Sequence, residues 1–251
     1  EREIYRRTLN TVNNPEMFVF LDECSVSKDD TSRRRGRSRK GTPVMRYAVF
    51  TGDDQPTYTL LAAVDINGFV CEACQPVWRR PSNSNNAQQG TIDTNRFLEW
   101  VEEHLVPTLG NFELGEARSV VVMDNAPIHK DPRIVHAIEE AGAIVVWCAR
   151  YSPDLNPIEP CFHQYKAYLR RHAASFAGMP WYLLHHHALK SVSRENMINY
   201  YGSKNMENCI DLSTVRNKKR RVGILVAAGI IGTDPSRQTM RRRKQKRKQR
   251  G

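Results

Sequence analysis

The sequence predicts an α/β domain with a mixed five-stranded sheet flanked by helices, a helical C-terminal extension and a basic tail. Three features point to it. Ser119 to Met123 (S-V-V-V-M) is an unbroken apolar run, the mark of a strand covered on both faces. Asn67-Gly68, lying between two apolar stretches, is a tight hairpin signal. After it the apolar spacing changes to three and four, putting Phe97, Trp100, Val101 and Leu105 on one side of a helix.

The elements follow in order. Met17 to Leu21 (M-F-V-F-L) reads as a buried strand ending at Asp22-Glu23, and residues 1–14 before it read as a linker. Val44 to Phe50, Tyr58 to Val64 and Phe69 to Cys74 are further strands, and the polar stretch Pro81 to Gly90 is a loop. The helix over Thr94 to Leu105 precedes the Ser119–Met123 strand. Asp131-Pro132 then opens a helix that Gly142 closes, since proline is preformed for a first turn. Ala143 to Trp147 is the last strand. Asn156-Pro157 starts a helix reaching about Ala173, and 182–210 is helical and polar. The domain is therefore expected over 15–210, with a basic tail over 211–251.

Composition narrows the function. The 251 residues hold 38 Lys and Arg against 27 Asp and Glu, a net charge of +11. That charge is uneven. Residues 216–251 carry 14 basic residues and one acid, so 1–215 are left at −2. A tail of +13 attracts polyanions and suits non-specific DNA contact or nuclear import in a eukaryotic host; without such a host the expected location is cytoplasmic. A second basic run, Arg33, Arg34, Arg35, Arg37, Arg39 and Lys40, reads as a phosphate-facing loop. The longest apolar run, Val222 to Gly232, falls short of the ~18 residues that span a membrane. Six scattered cysteines read as reduced thiols rather than a disulfide framework. Cys71-x-x-Cys74 lacks a second pair for zinc, and His185-His186-His187 on a helix point in different directions.

Three acids carry the chemistry. Asp22 ends the first strand, Asp124 follows the Ser119–Met123 strand, and Glu159 lies in the first turn of the helix after the last strand. If those strands are neighbours, the three carboxylates converge at one end of the sheet. Carboxylates gathered there need pairing or a cation. Oxygen ligands alone favour Mg²⁺ or Mn²⁺ over zinc. Two such ions, roughly 3.5–4 Å apart, suit phosphodiester chemistry. Asn125, His129 and Asn156 are placed to orient a ligand carboxylate, a water or a phosphate. Lys166 and Arg170 follow Glu159 at helical spacing and are candidates for DNA phosphates. Glu23, next to Asp22 on a strand, should point to the opposite face.

The segments F-V-F-L-D-E (18–23), V-V-M-D-N-A-P-I-H (121–129) and Y-S-P-D-L-N-P-I-E (151–159) resemble the three signature blocks of the mariner superfamily of DDE/D transposases. Thirty-four residues separate Asp124 from Glu159, the spacing of the branch whose third acid is Glu. The resemblance covers roughly 15–205 and implies an RNase H-like fold. It implies that Asp22, Asp124 and Glu159 are the metal-binding catalytic acids, and that the reaction is metal-dependent DNA cleavage and strand transfer. DNA is then the partner, a homodimer in a transposition complex is an expected assembly, and neither a membrane nor a small-molecule cofactor is involved. The alternative is a transposase remnant that keeps the fold and binds nucleic acid through its basic tail. Full-length members also carry an N-terminal helix-turn-helix that reads the element's terminal repeats, so sequence-specific recognition is not expected from these blocks.

Overall fold

The computed structural model describes residues 1–12, 14–27, 30, 37–43, 57–78, 92–176, 178–203, 206, 209–210 and 212. The expected strand over 44–50, the loop over 81–90, Arg33, Arg34, Arg35 and the basic stretch 216–251 lie outside them.

The chain builds a mixed sheet with helices on both faces. In chain order the elements are α1 (Arg2–Thr11), β1 (Phe18–Val26), β2 (Tyr58–Asp65), β3 (Gly68–Phe69), β4 (Gln75–Trp78), α2 (Thr94–Trp100), β5 (Val120–Met123), α3 (Pro132–Glu140), β6 (Ile144–Trp147), α4 (Ile158–His172), α5 (Trp181–Lys190) and α6 (Arg194–Tyr201). Among the described residues the sheet has six strands in the order β3-β2-β1-β5-β6, with β4 also pairing to β2. Pairings within β1–β4 are antiparallel, and β1–β5 and β5–β6 are parallel.

Three elements differ from the sequence expectation. Among the described residues the expected Phe69–Cys74 strand is mostly a 3-10 turn over Cys71–Ala73, with the short β3 before it and β4 starting only at Gln75. The first strand does not stop at Asp22. It runs to Val26, paired with β2 as far as Val26 opposite Tyr58. The opening segment, read as a linker, contributes α1, whose Tyr5 and Leu9 are buried in the core. Elsewhere the reasons for structure are local. Asp131 caps α3 by accepting from Arg133 N–H at 2.9 Å, and Pro132 begins it. Gly142 ends it with φ +89°, a left-handed conformation that suits glycine. Phe97, Trp100, Val101 and Leu105 are all buried, the last two within a π-turn that continues α2 over Val101–Leu105.

The period-two alternation of β1 divides the core. Phe18, Phe20, Cys24 and Val26 point to the face covered by α1, α4, α5 and α6. Val19 and Leu21 point to the face covered by α2 and α3. β5 contributes Val120 and Val122 to the first face, and Val121 and Met123 to the second. All six cysteines are free. Among the described residues, no helix is long and apolar enough to cross a membrane.

Candidate active site

Parallel pairing sets the height of the acids. Phe18 lies opposite Val120 and Phe20 opposite Val122. Two residues further along, Asp22 comes level with Asp124, just where β5 ends at Met123 and the sheet opens. Both acids share parity with Phe20 and Val122, so both lie on the face that α4 covers. Glu159, the second residue of α4, approaches from that helix and is exposed. Asp22, Asp124, Glu159, Asn125 and Asn156 line one open cleft of about 460 Å³.

Hydrogen bonds fix the two aspartates. Asp22 accepts Glu23 N–H on Oδ1 at 2.8 Å and Asn156 Nδ2 on Oδ2 at 3.4 Å. Asn156 is buried, and its Oδ1 also accepts Ile158 N–H at 3.3 Å, so one side chain joins the start of α4 to Asp22. Asp124 accepts Ala126 N–H at 2.9 Å and meets His129 Nδ1 at 2.6 Å. Asn125 donates to the Cys148 carbonyl at 2.5 Å, which holds the turn after β5 against the end of β6.

Glu23 is the residue that strand parity undervalued. Its side chain does turn to the opposite face, where its Oε2 lies 3.1 Å from Nε2 of His129. His129 is buried in the 3-10 turn Pro127–Lys130 and packs against Phe97, the two rings tilted with centroids 4.4 Å apart. It therefore ties a carboxylate on one face to Asp124 on the other. Strand parity places Glu23, but its partner stands 106 residues away in sequence.

The electrostatics separate the two aspartates. Burial pushes the Asp22 carboxyl up to about 7; the Glu23 N–H opposes this, and the charges of Glu23, Asp124 and Glu159 add to it. The hydrogen bond from His129 holds Asp124 below the usual carboxylate range, against burial. Burial alone would lower His129, but its bonds to Asp124 and Glu23 outweigh that and raise it to about 9. At neutral pH it is an imidazolium clamped between two carboxylates.

Among the described residues, no three His, Cys, Asp or Glu side chains already meet closely enough to hold a metal ion. The acids of the cleft nonetheless suit a hard divalent cation: their donors are all oxygen, and burial together with the neighbouring negative charges, which raise Asp22, is what a cation would offset.

The remaining expected contacts divide. Arg37, Arg39 and Lys40 are exposed. Arg170 is in an ion pair with Asp30 at 3.3 Å, and Lys166 lies half-buried near the Cys24 thiol. Both are thus engaged within the chain. His185 is buried in α5, bonded to Tyr165 and stacked on Trp181.

A mixed sheet that brings Asp22, within β1, level with Asp124, just past the end of the parallel β5, has the arrangement of an RNase H-like fold. Residues 83–177, which include Asp124 and Glu159, match the family model described as DDE superfamily endonuclease. Among solved structures, the chain is similar to that of a pre-cleavage Mos1 transpososome, with 17% identity and a TM-score of 0.55 over 83% of this chain and 59% of that one. It is also similar to the Mos1 mariner paired-end complex with Mn, with 16% identity and a TM-score of 0.50 over 83% and 59%. Over 83–177 the chain is thus similar to the DDE superfamily endonuclease model, and it shares its fold with the mariner transposase Mos1. It spans about three fifths of the length of those Mos1 chains. No curated protein matches it.

Proposed function

We propose that the chain is the catalytic domain of a DDE transposase, which cleaves DNA and transfers the cut strand with the help of two divalent ions. The observation that carries this reading is the convergence of Asp22, Asp124 and Glu159, from three elements, on one cleft. The fold's resemblance to a Mos1 transpososome supports it.

In this reading Asp22, Asp124 and Glu159 hold Mg²⁺ or Mn²⁺. The ions supply an activated water or hydroxyl as nucleophile and stabilise the leaving oxygen of the phosphodiester. The chain's own residues prepare the site. His129 keeps Asp124 ionised and fixed in direction. Asn156 aligns Asp22 with the start of α4, and so with Glu159. Arg37, Arg39 and Lys40, continuous in sequence with Arg33, Arg34 and Arg35, meet the DNA backbone. We assign 15–210 to the catalytic domain, with α1 docked on it. The stretch 211–251 adds non-specific DNA affinity and, in a eukaryotic host, nuclear import. Two copies pairing on DNA ends is the working assembly.

The test is nicking of plasmid DNA with Mg²⁺ or Mn²⁺, comparing the chain with Asp124→Ala. Metal-dependent nicking lost in the variant is expected. Equal nicking by both refutes the site.

A further inference from the structure

The wall of the cleft is unlike its floor. The floor is acidic, whereas Arg150, Tyr151 and Lys130 line the rim. Tyr151 is fully exposed, at 100%, more than any other large hydrophobic side chain among the described residues. Its backbone is left-handed, with φ +50°. That conformation is costly for a bulky side chain and persists where the surroundings enforce it.

The surroundings do enforce it. Before Tyr151, Cys148 N–H bonds to the Met123 carbonyl at 2.9 Å, and the Cys148 carbonyl accepts from Asn125. After it, buried Ser152 reaches back to the Arg150 carbonyl at 3.0 Å. Asp154 is in a bidentate ion pair with Arg2, and the Tyr5 hydroxyl donates to the Leu155 carbonyl at 3.3 Å. The loop is fastened on both sides of one residue, and the aromatic ring of that residue is left in water.

We propose that Tyr151 is a stacking platform for an unpaired nucleobase beside the phosphate that the acids engage. Such a base offers a free aromatic face, whereas a base inside a duplex does not. Arg150 and Lys130, both exposed on the same rim, supply cationic partners for the flanking phosphates. The ligand is thus the melted or single-stranded end of a DNA strand. The inference rests on the nuclease reading for its choice of ligand, but its test does not need cleavage.

The full chain is titrated in EDTA against two DNA duplexes, one blunt and one with a three-nucleotide unpaired end whose first unpaired base is 2-aminopurine. Stacking on Tyr151 quenches the probe. Tyr151→Ala should lose the quenching and bind the unpaired end on the order of tenfold more weakly, with blunt-duplex affinity unchanged. Tyr151→Phe keeps the ring and should restore both. Because the side chain is solvent-exposed, all variants should fold; Tyr151→Gly, which accepts the left-handed backbone, is the control for strain and should behave as Ala. Quenching retained in Ala, equal loss for blunt and unpaired DNA, or failure of Phe to rescue would each overturn the proposal. Quenching by a chain that cannot nick leaves the platform standing and refutes the nuclease. Nicking with no preference for the unpaired end does the reverse.

Discussion

The two faces of the sheet each bury one histidine, and the two histidines are tuned in opposite directions. On the α4 face His185 sits between Tyr165 and Trp181, and burial lowers it to about 4. Its hydrogen-bond partner is a hydroxyl, which ends a chain from Tyr58 through Tyr165, with oxygens 2.6 Å apart. On the α3 face His129 is as well buried, yet it is raised to about 9 because its two partners are Glu23 and Asp124. Burial works the same way in both places; the charge of the partners decides the sign. The α4 face uses its histidine to fill and satisfy a core. The α3 face uses its own to hold an acid of the cleft from behind.

The largest effect should come from the core of the α4 face. Phe20 is fully buried and lies 5.7 Å from Tyr201, centroid to centroid. Phe20→Ala should cost about 3–5 kcal/mol, read from the urea midpoint. A loss under about 1 kcal/mol would mean that α6 does not rest on the sheet there.

The His185 prediction is one of sign. In the unfolded chain the imidazole takes its proton near 6.5, and in the folded chain near 4. Between those values the unfolded state binds more protons, so the contribution to stability is complete above pH 6.5 and is lost as pH falls toward 4. The whole window amounts to about 3 kcal/mol. His185→Phe should flatten the stability–pH curve there relative to the parent. Parallel curves for the two proteins would show that His185 does not stay neutral in the fold.

The α3-face histidine is probed through its outer partner. Glu23→Gln keeps size and removes charge, so it should leave the fold intact and reduce nicking about tenfold, the lower range for residues that support a ligand carboxylate. Unchanged nicking would reduce Glu23–His129 to packing.

Much of this was legible in the amino-acid order, for physical reasons. An all-apolar Val120–Met123 admits only a strand covered on both sides, and Asp124 at its end then has one place to be. Asp124 and Glu159 are legible because a strand end and a helix start are local features, whereas Asp22 lies within β1 rather than at its end. The rest is either masked by charged residues or nonlocal. The Asp22-Glu23 pair interrupts an apolar run, so β1 looked finished, although Cys24 and Val26 continue its alternation into the core. In α1, Arg2, Glu3, Arg6 and Arg7 hide the four-residue step from Tyr5 to Leu9 that buries one side. His129 was readable as an orienting group, but its bridge to Glu23 needs two strands and a turn in register. Tyr151 gave no signal, since neither positive φ nor full exposure is written in a tyrosine.

The central claim is that Asp22, Asp124 and Glu159 form one divalent-cation site, and Mn²⁺ binding tests it without DNA or turnover. The chain and the variants Asp22→Asn, Asp124→Asn and Glu159→Gln are titrated with Mn²⁺, following the free ion by electron paramagnetic resonance. Saturable binding by the parent, weakened by each single substitution and abolished when all three are combined, is the expected result. A triple variant that binds Mn²⁺ as the parent does would contradict it.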